Sequence, residues 1–162
     1  MNYSTTQQQM IPGIIVPQQV YPLPAGQTAD GLLPPVQFFC NDYLGIHLDT
    51  LPLQQLVNAN DQRYLSMTNN RVSLRVLWPG YDTWHFGNAL DATDGQKRTR
   101  SIAEIAQQVA ERVREFYNEQ VTADGGVADW SLKKIQFKSL YLVELRNVSR
   151  GSWQPVICCR VE

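Results

Sequence analysis

The chain has 162 residues, of which 43% are hydrophobic and 18% are charged, and its formal net charge is −1, from 14 Lys plus Arg against 15 Asp plus Glu. This length fits one domain, and the near-zero charge removes the simplest argument for nucleic-acid binding, which needs a clearly basic domain. No run approaches the roughly 18 apolar residues of a membrane span, so we expect no membrane contact.

The start of the chain and its cysteines bear on where the protein acts. The first residues, MNYSTTQQQMIPG, lack the basic region and apolar core of a secretory signal, so we expect no export. Without export, Cys40, Cys158 and Cys159 are expected to be reduced and buried. Because neighbouring residues of a strand point to opposite faces, the adjacent pair should not share one partner. The sequence predicts an intracellular protein, cytoplasmic or nuclear.

Residues 1–35 differ in composition from the rest of the chain. They contain six of the nine Pro and a single charged side chain, Asp30. This composition predicts a Pro/Gln-rich arm, extended or mobile, ahead of one globular domain over residues 36–162. The apolar pieces IPGIIVP and VYPLP keep a second interpretation open, in which the arm lies against its own domain or a neighbouring subunit.

The first predicted elements of the domain are short. VQFF at 36–39 is typical of a short strand. Pro52 is typical of the first turn of a helix, so a short helix is predicted over 50–58. RVSLRVLW at 71–78 predicts a half-buried strand that Pro-Gly then stops. The inward face of this strand consists of alternate apolar residues: Val72, Leu74, Val76 and Trp78.

The longest predicted helix begins after Ser101. Ser101 and Glu104 fit a capping box, in which each side chain bonds the other residue's backbone amide. The residues that follow at helical spacing on one face are apolar: Ile102, Ile105, Ala106, Val109, Ala110, Val113, Phe116 and Tyr117. This pattern predicts an amphipathic helix that ends before Asp124.

Two strands are predicted at the end of the chain, over 132–148 and 153–161, joined as an antiparallel hairpin. The fold class that follows is α+β: a small antiparallel sheet with one long amphipathic helix packed on it and a C-terminal β-hairpin. Both faces of residues 139–145 are apolar, so this strand must be covered twice. A partner subunit could supply one of the two covers.

Part of the chain resembles a group of fungal proteins. LRVLWPGYDTW, then Asp91 and Asp94, then IAEIAQQVAERVREF are similar to uncharacterised proteins of mushroom-forming (basidiomycete) fungi over about 74–116. Those proteins share a strand that ends in Trp-Pro-Gly-Tyr, a second Trp three residues on and an Ala-rich helix. The resemblance implies a fungal origin and a domain around this loop, but no activity and no catalytic residue.

Cys40 and His47 are the strongest candidates for catalysis. A thiol nucleophile needs a base held against it, and Cys40-Asn41-Asp42 with His47 nearby allows a small hydrolase. The sequence indicates no third catalytic group and no oxyanion hole, so we expect no enzyme and no catalytic residue. It also lacks the patterns CxxC, HxxxH and GxGxxG, and we expect neither a metal nor a cofactor.

The aromatic loop WPGYDTWHFGN, residues 78–88, is the leading candidate for partner binding. Trp78 closes the apolar face of the preceding strand and is assigned to the core. The residues predicted to meet a partner are Tyr81, Trp84, His85 and Phe86. Aromatic side chains suit this role because they bury a large area with little loss of conformational entropy.

A basic loop precedes the long helix. Lys97, Arg98 and Arg100 could contact a phosphate together with free backbone amides at the helix N-terminus, while the aromatic loop stacks on bases. The leading hypothesis is a non-enzymatic interaction protein that self-associates as a homo-oligomer and binds a partner through the aromatic loop. The alternative is a nucleic-acid-binding regulatory protein that uses both loops.

Overall fold

The computed structural model describes residues 10–41, 43–81, 89–123 and 127–161. These residues form the strands β1 (Ile14–Ile15), β2 (Val36–Gln37), β3 (Phe39–Cys40), β4 (Tyr43–Leu44), β5 (Ile46–His47), β6 (Arg71–Leu74), β7 (Ala89–Asp91), β8 (Leu140–Ser149) and β9 (Ser152–Cys159), and the helix α1 (Ile102–Gln120). Short 3-10 turns lie at Ala29–Gly31, Leu53–Gln55, Ala128–Trp130 and Phe137–Ser139.

A long hairpin of β8 and β9 forms the centre of the main sheet. β2 and β5 pair antiparallel with the other edge of β8. The other edge of β9 is shared, because β6 pairs parallel with its first residues and β1 pairs antiparallel with its last. β7 extends the sheet beyond β6. The predicted hairpin and α+β class are confirmed, and the parallel pair makes the sheet mixed rather than antiparallel.

The helix α1 begins where the sequence predicts. Ser101 Oγ accepts from Glu104 N–H and the Glu104 carboxylate accepts from Ser101 N–H, so the capping box is formed. The buried face of α1 consists of Ile102, Ile105, Ala106, Val109, Ala110, Val113 and Phe116. These side chains share the main core with buried sheet residues, among them Leu74, Leu142 and Trp153. Removal of this apolar surface from water is the largest stabilising contribution to the fold.

The strand predicted over 71–78 has the expected burial but a shorter regular pairing. The four residues assigned to its inward face are each at most 3% exposed: Val72, Leu74, Val76 and Trp78. Regular pairing ends at Leu74. Beyond it, Arg75 N–H still donates to the Trp153 carbonyl at 2.7 Å, so the chain continues beside β9 without forming a further strand.

The face of the hairpin opposite α1 is covered by the chain itself. Leu44 of β4 packs with Val143 and Cys158 in a small second cluster. The β3–β4 hairpin therefore supplies part of the cover that a partner subunit could also have provided. Cys158 lies in this cluster and Cys159 in the main core, so the adjacent cysteines point to opposite faces, as predicted.

The outer edge of β9 offers carbonyls from alternate residues. Ser73 N–H donates to the Gly151 carbonyl at 2.8 Å. Two residues on, Arg75 N–H donates to the Trp153 carbonyl. The next carbonyl in this series belongs to Pro155, which has no N–H of its own. A strand tolerates proline where the missing donor faces no neighbouring backbone, and the ladder of β6 ends at this point.

Gln18 of the arm fills the break in the ladder at Pro155. Its Nε2 donates to the Pro155 carbonyl at 2.6 Å, and its Oε1 accepts from Leu77 N–H at 3.0 Å. Without Gln18, these two backbone groups would be the next pair of the parallel ladder. Beyond the break, Val16 N–H donates to the Ile157 carbonyl, and β1 takes over as the neighbour of β9.

Residues 10–35 run across the sheet mostly without regular secondary structure. Gln154 of β9 holds them with both ends of its side-chain amide, since Oε1 accepts from Tyr21 N–H and Nε2 donates to the Gln19 carbonyl. The Arg75 guanidinium lies 4.7 Å from the centre of the Tyr21 ring. Side-chain amides thus provide much of the hydrogen bonding that a backbone ladder would provide in a regular strand.

Gly13 sets how closely the arm approaches β9. A Cβ atom at this position would lie 2.3 Å from the Cys159 carbonyl oxygen and 2.8 Å from the Arg160 nitrogen. Both contacts are with backbone atoms, which cannot rotate away as a flexible side chain can. Only glycine therefore allows the pairing of β1 with the end of β9 in this geometry.

The helix predicted over 50–58 is wrong, because the structure has only one 3-10 turn there. Leu51 and Asn58 have φ values of 43° and 59°, in the left-handed region that an α-helix does not enter. Next to Asn58, Val57 N–H donates to the Phe39 carbonyl at 2.8 Å. Pairing with the end of β3 thus takes the backbone groups that a helix would have used.

The strand predicted over 132–148 is wrong in its first half, because β8 starts only at Leu140. The preceding residues pack on the helix instead. Tyr117 Oη donates to the Ile135 carbonyl at 2.6 Å, and the Tyr117 and Phe137 rings meet edge to face at 5.4 Å. Apolar alternation alone did not distinguish a strand from a loop that closes the end of the core.

A bulge changes which residues of β8 share a face. The register with β9 shifts between Leu142 and Glu144, so Val143 is an extra residue on this strand. As a result Leu145 joins Leu142 in the main core, while Val143 joins the second cluster. Strict alternation along the strand would place Val143 and Leu145 on one face, because it allows for no inserted residue.

Replacement of Gln18 should destabilise the fold more than replacement of its neighbour. In Gln18→Ala the Leu77 N–H and the Pro155 carbonyl lose their partners in a half-buried position, and we expect a loss of about 1–3 kcal/mol in the free energy of unfolding. Gln19→Ala is the matched control, because Gln19 bonds Gln154 through its backbone carbonyl, which the substitution keeps, and its side chain is exposed. Urea unfolding followed by Trp fluorescence measures both, and equal stabilities would contradict the bridging role.

Candidate binding surfaces

The arm carries much of the exposed apolar surface of the described residues. Twelve large apolar side chains in this part of the chain are exposed, and half of them lie between residues 10 and 23. These six are Met10, Ile11, Ile14, Ile15, Val20 and Leu23. Scattered exposed apolar residues are normal, but a concentration in one short segment is typical of an interaction surface.

Among the described residues, no strand pairs with the outer edge of β1 at Ile15. Val16 N–H donates to the Ile157 carbonyl, and the register pairs Ile14 with Cys159. In an antiparallel ladder, residues alternate between those that bond the neighbouring strand and those that face away from it. The amide and carbonyl of Ile15 therefore point away from β9, where they offer one donor and one acceptor to a further strand.

The edge at β7, which lies on the same side of β9 as β1, is closed by side chains of α1. Gln108 Oε1 accepts from Asp91 N–H at 2.8 Å, and Gln108 Nε2 donates to the Asp91 carbonyl at 3.0 Å. Arg112 Nε donates to the Ala89 carbonyl at 3.2 Å. These bonds occupy the backbone groups that a further strand would need, so the two edges differ in their capacity for pairing.

A cleft of about 690 Å³ lies between the arm, the β3–β4 hairpin and β5. Its lining includes Cys40 and His47, so the structure brings together the two residues considered for catalysis. Tyr43, Tyr141 and Arg160 line it as well, from three further parts of the chain. The volume is in the range of small-molecule sites.

Both ring nitrogens of His47 are engaged within the protein. Thr50 N–H donates to Nδ1 at 3.1 Å, which makes Nδ1 the unprotonated nitrogen, and Nε2–H then donates to the Lys138 carbonyl. The ring also packs edge to face on Tyr141, with 4.9 Å between the ring centres. A general base needs a free lone pair beside its substrate, and His47 has none in this arrangement.

The environment of Cys40 disfavours its reactive form. Burial raises the pKa of the Cys40 thiol. Burial likewise raises the pKa of Cys158, to about 12. Because the thiolate is the nucleophile, a raised pKa makes a thiol less reactive near neutral pH. Cys40 and His47 share a cleft without the properties that a Cys-His hydrolase requires of each.

Of the aromatic loop, the structure describes residues 78–81. Trp78 is buried and donates its indole N–H to the Trp130 carbonyl at 2.7 Å, which confirms its place in the core. The Tyr81 hydroxyl accepts from Leu132 N–H at 2.9 Å, and its half-buried ring meets the Phe116 ring at 6.4 Å. Tyr81 is therefore held by its own domain. The other predicted contact residues, Trp84, His85 and Phe86, lie outside the described residues.

The basic loop carries less available positive charge than its sequence suggests. Arg100 Nη1 pairs with the Glu104 carboxylate at 2.8 Å. Asp94 accepts from the Arg98 N–H, and such backbone hydrogen bonds lower the pKa of Asp94, so a carboxylate lies within the same turn. Lys97 and Arg98 remain exposed. Two of the three predicted cations thus have a carboxylate close by.

The first amides of α1 are also occupied. Ile102 N–H donates to the Asp61 carbonyl at 2.8 Å, and Ala103 N–H donates to the Ala59 carbonyl at 3.0 Å. The capping serine accepts from the amide that follows. The phosphate contact predicted for Lys97, Arg98 and Arg100 relied on free amides at this helix end, and these three are not free.

Sequence reasoning missed the residues that define the edge and the cleft. IPGIIVP was recognised as apolar, but the exposure of Ile14 and Ile15 depends on their register with β9, which the local pattern does not contain. Tyr141 and Arg160 meet Cys40 only because β5 pairs with β8 and the arm returns along β9. The only sequence signal for this arrangement was the low charge and high Pro content of the arm.

No protein-family model, curated protein or solved structure matches the chain. The resemblance of residues 74–116 to fungal proteins therefore stays a prediction. In the part of the chain that the structure describes, no group of three or more His, Cys, Asp or Glu could hold a metal ion. Within the same residues, no helix has the length and apolar character to cross a membrane.

The pH dependence of alkylation tests the view of Cys40 as a structural thiol. Because the pKa of Cys40 is raised, we expect its rate of reaction with iodoacetamide to keep rising at pH values above the pKa of an ordinary thiol, about 8.5. Mass spectrometry of the Cys40 peptide gives the rate, with His47→Asn as the comparison, which should leave the profile unchanged. A half-maximal rate near neutral pH that is lost in His47→Asn would instead support the hydrolase hypothesis.

Proposed function

We propose that the protein is a non-enzymatic assembly protein of the cell interior, in which two copies pair edge to edge through β1. The observation that carries the proposal is the free edge at Ile15, flanked by the exposed apolar residues of the arm. An open edge strand with apolar side chains is a template for pairing with another chain. The second copy completes hydrogen bonds and removes apolar surface from water in one step.

A twofold axis suits the geometry of this edge. Two β1 strands that meet antiparallel would place each Ile15 opposite the other, so that the donor and acceptor of one copy meet the acceptor and donor of its partner. Such an isologous contact is self-complementary and closes on itself, which limits the assembly to a dimer. Ile14 and Ile15 point to opposite faces, so each copy would cover apolar groups on both sides of the new pair.

The charge distribution favours a second copy as the occupant of this edge. Residues 1–29 contain no Asp, Glu, Lys, Arg or His, so two arms can approach without repulsion between side chains. A strongly charged partner would gain nothing from this surface. The prolines at positions 12 and 17 limit the pairing to a few residues, which prevents growth into a larger sheet.

The arm contributes to the fold as well as to the proposed contact. Val16 is 2% exposed and belongs to the main core, and Gln18 bridges two strands. A chain shortened to start at Val36 would lose both, so a change in its mass could reflect unfolding rather than lost assembly. Substitutions on the outward surface of β1 are therefore the sharper test.

The aromatic loop stays a proposed second contact, for a partner other than the same chain, through Trp84, His85 and Phe86. Nucleic acid is the less supported partner, because Arg100 is paired with Glu104 and the nearby helix amides are occupied. Oligonucleotide binding that weakens with salt would reverse this ranking.

A lysine at the proposed dimer axis should separate the two copies. In Ile15→Lys two positive charges would meet across the axis, and we expect dimerisation to weaken roughly tenfold or more. Light scattering across a concentration series measures the mass, and the full chain should move from monomer towards dimer as its concentration rises. Because the backbone amide and carbonyl of Ile15 do not bond β9, we expect Ile15→Lys to keep the stability of the natural chain. Unfolding curves measure this stability.

Met67→Lys is the control for a general effect of added charge. Met67 is 74% exposed and lies outside the arm, so this variant should dimerise like the natural chain. A full chain that stays monomeric throughout the series would refute assembly. A dimer that Ile15→Lys leaves intact would refute the β1 interface.

A further inference from the structure

The cleft beside the arm has the composition of a ligand site that the assembly proposal does not use. It is formed by residues distant in sequence: Ile11 and Pro12 of the arm, Tyr43 of β4, His47 of β5, Tyr141 of β8 and Arg160 after β9. We propose that this cleft binds a small aromatic carboxylic acid. The proposal depends on the lining residues alone and is independent of self-association.

Ring-bearing side chains give the cleft flat apolar walls. Tyr43 is 45% exposed, and Tyr141 is half-buried with its ring edge to face against His47. Pro12 and Pro52 add rigid apolar surface. Aromatic rings pack well on such walls, because they bury a large area and lose little conformational freedom.

The charge of the lining selects an anion. Arg160 is its one charged side chain among the described residues, and no carboxylate lines it there. The described residues also provide no carboxylate within ion-pair distance of the Arg160 guanidinium. A guanidinium binds a carboxylate through two parallel hydrogen bonds. A single positively charged side chain fits a monoanion better than a dianionic phosphate.

His47 supports the site without taking part in binding the acid group. Its two nitrogens are bonded to Thr50 and to the Lys138 carbonyl, so the imidazole contributes a ring surface to the cleft. The side-chain amides of Asn41 and Gln55 also line the cleft and could form hydrogen bonds with a hydroxyl or amino substituent on the ligand ring. The proposed class of ligand is therefore defined by one flat ring system and one carboxylate.

The neighbouring hollow shows what the cleft lacks. It measures about 520 Å³ and is lined by two cations, Arg160 and Lys134, and by one carboxylate, Asp129. A carboxylate in the lining repels an acidic ligand at short range. The two hollows share Arg160, and only the cleft beside Tyr43 and Tyr141 has no carboxylate among its described lining residues.

Calorimetric titration of the full chain with 2-naphthoate tests the proposal, and the uncharged 2-naphthamide serves as the matched ligand. For a ligand of this size we expect a Kd of about 1 mM or tighter for the acid, and weaker binding of the amide. Arg160→Gln should weaken binding of the acid roughly tenfold, because it removes a charge-assisted pair. Tyr43→Ser should weaken the acid and the amide together, because both use the ring wall.

Arg98→Gln is the control for the loss of one positive charge, since Arg98 is exposed and does not line the cleft. It should bind the acid like the natural chain, and all variants should unfold at the same urea concentration. Three results would overturn the proposal: no binding at ten times the expected Kd, equal binding of acid and amide, or an Arg160→Gln protein that binds unchanged. Light scattering of the same samples shows separately whether the chain is a dimer.

Discussion

The break in the parallel ladder at Pro155 is the constraint on which the arrangement of the sheet depends. Regular pairing of β6 with β9 ends at Trp153, and from Ile157 onwards the arm is the neighbour of β9. With the parallel ladder interrupted there, one side chain, Gln18, joins the two backbones and directs the arm onto the second half of β9. The free edge, the arm side of the cleft and the burial of Val16 all follow from this change of neighbour.

The edges at β7 and at β1, which lie on the same side of β9, are finished in different ways. At β7 the helix extends Gln108 and Arg112 over the last backbone groups, which closes that side to any strand. At β1 nothing in the described chain covers the outward groups of Ile15. Of these two edges, the one at β1 is short and lies between Pro12 and Pro17, so a pairing there ends within a few residues.

Much of the fold was predictable from local pattern, and the site was not. The helix from Ile102 was predicted because its cap and its apolar face lie within one stretch of chain, and the alternation from Val72 to Trp78 was equally local. The false helix near Leu51 and the false strand before Leu140 arose where long-range pairing and core closure overrode local preference. Ile15, Tyr141 and Arg160 gain their roles from register and topology, which a single sequence states only indirectly.

The closeness of the first and last segments of the chain has a consequence for how the protein folds. Gln18 and Pro155 are separated by 137 positions, so the arm can dock only after the end of the chain has formed its hairpin. Contacts of such long range close late and slow the search for the native state. During synthesis the arm is made before the domain and must wait for its partner strand, β9. Its prolines suit this delay, since they disfavour both helix and premature strand pairing while the rest of the domain is completed.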